Sequence, residues 1–141
     1  MGPGAQEDEE QGALAMNPPD SRSIEEALIT EVLGWSVVED PEEADSYPAA
    51  CWSPGDGCFV VHRLEGRRPE RFSPTRSFED VWEVRKRLGG NSFFPRLARP
   101  ASERNVRVVA DCGTKEVVAE ARSVAWALAM TIYQARNEQL I

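Results

Sequence analysis

Three cysteines, one histidine and two lysines are all that this 141-residue chain holds of those types. The cysteines, Cys51, Cys58 and Cys112, are odd in number and form no C-x-x-C pair, which excludes a disulfide framework and predicts an intracellular setting. One histidine, His62, without a thiol pair leaves no zinc site of the usual kind, and no metal or cofactor is expected. No apolar run approaches the ~18 residues of a membrane span. The acidic start carries no apolar stretch and reads as no secretory signal. No collagen or solenoid period is present. What remains is one globular domain of ordinary size, long enough for a core that needs no staples.

Charge is abundant but unevenly placed. Residues 1–45 contain thirteen acids and one base, a balance of −12, while residues 46–141 carry eleven acids and fifteen bases, or +4. The stretch from Arg63 to Arg107 holds twelve bases against six acids. Fourteen of the sixteen bases are arginine, the residue suited to forked contacts with phosphate and to stacking on bases. A general nucleic-acid binder is basic overall, and this chain has a net charge of −8. A local arginine cluster on an acidic protein fits a small anionic ligand better than a long phosphate backbone. No nucleic-acid polymer and no membrane are therefore expected as partners.

Residues 1–20, MGPGAQEDEEQGALAMNPPD, are acidic, rich in Gly and Pro and poor in large apolar side chains, and are expected to form a disordered tail. Met16 is an alternative start. Residues 21–141 are expected to form one α+β domain. Ile24, Leu28 and Val32 fall on one helical stripe, and Ser23 with Glu26 makes a capping box, so a first helix is predicted over about 24–33. A hairpin follows, with arms 49–52 and 58–64 about the turn Pro54-Gly55-Asp56-Gly57, a turn that would let Cys51 and Cys58 face each other. The Arg/Pro-rich stretch 65–76 reads as a loop. Ser77 caps a second helix over 78–88, ended by Gly89-Gly90. Strands are expected over 92–98, 105–110 and 115–121, the last two joined by the turn Asp111-Cys112-Gly113-Thr114. A closing helix runs over 123–137. The predicted order is α-β-β-α-β-β-β-α, with one mainly antiparallel sheet of about five strands and helices on its faces.

Four stretches in this order resemble the phage ABA-sandwich domain family: ALITEVLGW (Ala27–Trp35), FSPTRSFEDVWEVRKRL (Phe72–Leu88), VRVVADCGTKEVVAEA (Val106–Ala121) and SVAWALAMTIY (Ser123–Tyr133). The resemblance implies an α/β/α sandwich and a phage origin. It brings no catalytic motif, and this chain departs from it in its acidic N-terminus and its arginine-rich centre.

The candidate ligand site is the segment Arg67–Ser77, with Arg67, Arg68, Arg71 and Arg76 beside Ser73, Thr75 and Ser77 at a helix start. Free N–H groups and a positive dipole end at such a start suit phosphate, although Glu79 and Asp80 in the first turn oppose it. Arg71, Phe72, Arg76 and Ser77 are the expected ligand contacts, with Phe72 stacking on a base and with Trp52 and Arg63 as further candidates. Trp82 and Trp126 sit at helical spacing and read as core. Phe93 and Phe94 are consecutive in a strand, so one of them needs a cover. Together with the Ala-rich last helix they predict a homo-oligomer, a dimer first. By analogy with phage proteins that soak up host nucleotide signals, the expected function is anti-defence sequestration of a cyclic ADP-ribose-type ligand in the host cytoplasm, without cleavage. The alternatives are an adaptor or inhibitor that uses the acidic first third, and a nucleotide-cleaving enzyme served by His62 and Asp111.

Overall fold

Helix α1 spans Ser21–Ala27 in the computed structural model, which describes residues 20–44, 47–64, 68–88 and 92–141. The expected tail thus lies almost wholly outside the described residues, as do Arg67 and the Gly89-Gly90 stop. Asp20, not Ser23, caps α1, because its carboxylate accepts from the Ser23 amide at 2.8 Å and so satisfies an otherwise orphan donor. The helix continues as a π-helical turn, Leu28–Val32. That widened turn still delivers Ile24, Leu28 and Ile29 to the interior.

Two sheets form in place of the expected single one. The first has the order β1 (Ser36–Val38), β2 (Ala49–Ser53), β3 (Cys58–His62) and β4 (Glu70–Phe72), with β1 parallel to β2 and the other pairs antiparallel. The second is antiparallel, β5 (Phe94–Ala98), β6 (Val106–Asp111) and β7 (Glu116–Ala121). Helix α2 (Phe78–Lys86) separates them along the chain. The arginine-rich stretch read as a loop contributes β4, because Phe72 pairs in register with Phe59 and buries its ring. Alternation puts Trp52, Phe59 and Phe72 on one face of the first sheet, and Cys51, Cys58 and Arg71 on the other. Cys51 pairs with Val60, and Cys58 with Ser53, so the two thiols are diagonal neighbours and not directly opposed. All three cysteines are free and buried.

Helix α3 (Val124–Asn137) joins the second sheet to the other helices. It packs on β6 and β7 and also meets α1 and α2. Ala125, Ala127, Ala129 and Ala135 are buried there with Leu128 and Ile132, small side chains allowing close approach on several sides. The Ala-rich helix is therefore spent inside one chain and is not a face for a second, which corrects that part of the dimer expectation. Of the consecutive phenylalanines, Phe93 is buried and Phe94 is 62% exposed.

Candidate functional site

The segment after β4 is a tightly tied turn. The Ser73 carbonyl accepts from the amides of Arg76 at 3.0 Å and Ser77 at 2.8 Å. Asp80 reaches back to take the Ser73 amide at 2.9 Å, and the Ser77 hydroxyl caps α2 by accepting from the Asp80 amide at 3.3 Å. Burial pushes the Asp80 carboxyl above its ordinary value, even though the Ser73 amide bond pulls it down.

Beneath the turn lies Glu25, 1% exposed on α1. Its Oε2 accepts from the Ser73 hydroxyl at 2.5 Å, the Thr75 hydroxyl at 2.8 Å and the Thr75 amide at 3.2 Å. Its Oε1 is buried without a hydrogen-bond partner among the described residues. The Arg76 Nε in turn donates to the Ser73 hydroxyl at 2.9 Å, and its terminal nitrogen donates to the Gly57 carbonyl. Arg76 is thus anchored at two points and still exposed. Of its five N–H donors, the fork retains some for a ligand.

Thr75 and Arg76 form one wall of a cleft of about 650 Å³. The start of α3 lines it too, with Arg122, Ser123, Trp126 and Met130, as do Asn105 and Glu120. Ser123 caps α3 by accepting from the Trp126 amide at 3.1 Å. Unlike α2, α3 has no acid in its first turn, so its dipole end is not neutralised from within. Arg122 is exposed and pairs with no carboxylate among the described residues. Trp126 is half-buried. Spacings of three and four place Ser123, Trp126 and Met130 on one helical face.

Glu120 is the one acid of the cleft among the described residues, and its charge is already answered. It accepts from the amides of Ala101 at 3.1 Å and Ser102 at 3.4 Å, from Asn105 at 3.3 Å and from Arg107 at 2.9 Å. The Ala101 amide first, then Arg107 and Asn105, hold its carboxyl below the ordinary glutamate value against the cost of burial. A lowered folded value means that its stabilisation is present above the ordinary glutamate range and is lost as pH falls through the folded value. The amide shifts of Ala101 and Ser102 should therefore titrate together in NMR, with a midpoint below the ~4.3 of a free glutamate. A midpoint at or above that value would mean that the carboxylate does not hold this loop.

Among the six residues expected to contact ligand, Arg76 alone lines this cleft. Ser77 is spent as the cap of α2. Phe72 is 0% exposed, its ring centroid 5.6 Å from that of Trp35, so it has no open face for a base. Arg63 forks onto Glu83 at 2.8 and 3.1 Å, lies 3.5 Å from Glu70 and sits over Trp35, and so it ties β3 to α2. Trp52 is half-buried against Phe59, with Arg22 4.4 Å above its ring. Arg71 lies on the opposite face of the first sheet, its Nε 3.5 Å from the Cys58 sulfur. The sequence reading missed Arg122, Ser123 and Trp126. The available signal was an arginine and a serine directly before an acid-free first turn, the feature that α2 lacks.

No family model matches the chain, and no curated protein matches it. The fold does have a counterpart among solved structures. A 2.0 Å crystal structure of a phage protein from Bacillus cereus ATCC 14579 superposes with a TM-score of 0.54 at 12% identity, covering 83% of this chain and 92% of that one. The likeness is one of fold. The narrower phage ABA-sandwich resemblance has no matching family model behind it. Among the described residues no helix is long and apolar enough to cross a membrane.

Proposed function

We propose that this is a phage-encoded binding protein that captures a small phosphorylated ligand of nucleotide type in the cleft between the Ser73–Ser77 turn and the start of α3, and that it releases the ligand unchanged. One observation carries the reading: Arg76, Arg122, an unneutralised helix start and the half-buried Trp126 converge on about 650 Å³. That volume lies within the ~300–1,000 Å³ of small-molecule sites. The two guanidiniums and the helix N–H groups suit phosphate, and the half-buried Trp126 that lines the cleft suits a base. A chain of net charge −8 with its arginines gathered locally suits a small anionic ligand and not a polymer. The fold shared with a phage protein supports the phage setting, and sequestration of a signal in the host cytoplasm is the role such a site would serve there.

Calorimetric titration with cyclic ADP-ribose isomers, cyclic dinucleotides and ADP tests the reading. At least one should bind with a stoichiometry of one per chain. Mass spectrometry of the ligand recovered after denaturation should return its original mass, whereas a cleaving enzyme would return products. Failure of every nucleotide to bind would leave the adaptor reading, in which the acidic first third meets a basic partner.

A further inference from the structure

The second sheet ends in β5, which pairs with β6 on one side only among the described residues. Pro95 has no N–H to give, and a proline turned towards β6 would break the ladder, so its nitrogen faces the free edge. Leu97, two residues on, therefore also directs its N–H and C=O outward. Both faces of this edge carry a large uncovered side chain. Leu97 is 64% exposed on the face packed by helices, and Phe94 is 62% exposed on the other. Next to Leu97 a groove of about 230 Å³ is lined by Phe78, Trp82, Val124 and Leu128. Phe78 and Trp82 stack at 5.5 Å between ring centroids and remain 50% and 38% exposed.

We propose that β5 pairs antiparallel with β5 of a second copy about a two-fold axis at Leu97, joining the two three-stranded sheets into one of six strands. Charge selects both the occupant and the register. Arg96 is already paired with Glu116 at 3.2 Å, and Arg107 with Glu120 at 2.9 Å, so this face presents answered charges and asks for no oppositely charged partner. An isologous interface must complement itself, and an internally neutralised patch can do so. An axis at Arg96 would set two guanidiniums face to face. An axis at Leu97 sets Arg96 opposite Ala98 of the partner subunit and lets the two Leu97 residues exchange both N–H···O=C bonds.

Area supports a stable pair. The uncovered parts of Phe78, Trp82 and Leu97, which share the helix-packed side of this edge, amount to on the order of 300 Å², more than a third of the ~800 Å² that each partner contributes to a standard interface. The edge backbone and the rim supply the remainder.

Sedimentation and light scattering on the full chain should report twice the 15.7 kDa chain mass at micromolar concentration. Leu97→Glu places two carboxylates on the axis and should return the protein to one chain mass with unchanged circular dichroism, since Leu97 is 64% exposed within its own chain, while the melting temperature loses the concentration dependence of the pair. Leu97→Cys should be joined to its symmetry mate by a short bifunctional thiol reagent, because directly opposed Cβ atoms of a hydrogen-bonded antiparallel pair lie about 5.5 Å apart, beyond a direct disulfide but within a short linker. The native cysteines are buried and do not compete. A wild-type chain that stays at 15.7 kDa up to high micromolar concentration would overturn the proposal. So would a dimer that survives Leu97→Glu, or a Leu97→Cys variant that never cross-links.

Discussion

Arg76→Ala combined with Arg122→Ala should abolish nucleotide capture. Each guanidinium lost from a charge-assisted contact costs about 1.5–3 kcal/mol. Two such losses in one cleft amount to about 3–6 kcal/mol, or roughly 10²- to 10⁴-fold in affinity. Arg76 also braces Ser73 and Gly57, so its loss disturbs the turn as well as the charge. Arg122→Ala alone separates the two effects. Its side chain pairs with no carboxylate among the described residues, so melting should stay put while affinity falls roughly 10- to 150-fold. Arg71→Ala is the internal control, because Arg71 does not line the cleft and points away from the core side of the first sheet. Undiminished binding by the double variant, or a large loss from Arg71→Ala, would move the ligand elsewhere.

Phe72→Ala should cost about 3–5 kcal/mol of stability, the range for emptying a fully buried phenylalanine site. The ring is in register with Phe59 on the neighbouring strand and packs on Trp35, so its removal opens a cavity between the first sheet and the segment leaving α1. For a domain of this size such a loss lowers the melting temperature by at least about 10 °C. The measurement decides the role of Phe72. A ligand-stacking phenylalanine would leave thermal denaturation almost unchanged and reduce affinity, whereas a core phenylalanine does the reverse to the free protein.

The elements set by local chemistry were readable from the chain. Ser77 and Ser123 each stand one residue before an amphipathic run, and both are caps, because a short hydroxyl side chain satisfies an orphan helix amide wherever that run begins. Gly57 and Gly113 take positive φ at the two hairpin turns, a conformation that glycine enters without steric cost. The class, α+β with largely antiparallel pairing, followed from short connections between β-prone runs. One cap was misplaced: Asp20 and Ser23 both have side chains able to cap, and only the real start of the helix chooses between them.

Pairing between distant segments decided the rest. Nothing local distinguishes one sheet of five strands from sheets of four and three, since strand partners are chosen by which faces can be buried together. Glu70-Arg71-Phe72 reads as a polar loop until Phe59 offers Phe72 a place in the core. Arg63 reads as a free charge until Glu83, twenty residues away, takes both arms of its fork. The cleft is the clearest case. Arg76 and Arg122 are far apart in the chain and line one cleft only because Glu25 holds the Ser73–Ser77 turn while α3 packs on the second sheet and against α1 and α2. Residue types foretold arginine, hydroxyl and aromatic chemistry for an anion. Which arginine and which aromatic supply it is a matter of burial, and burial is a property of the folded chain.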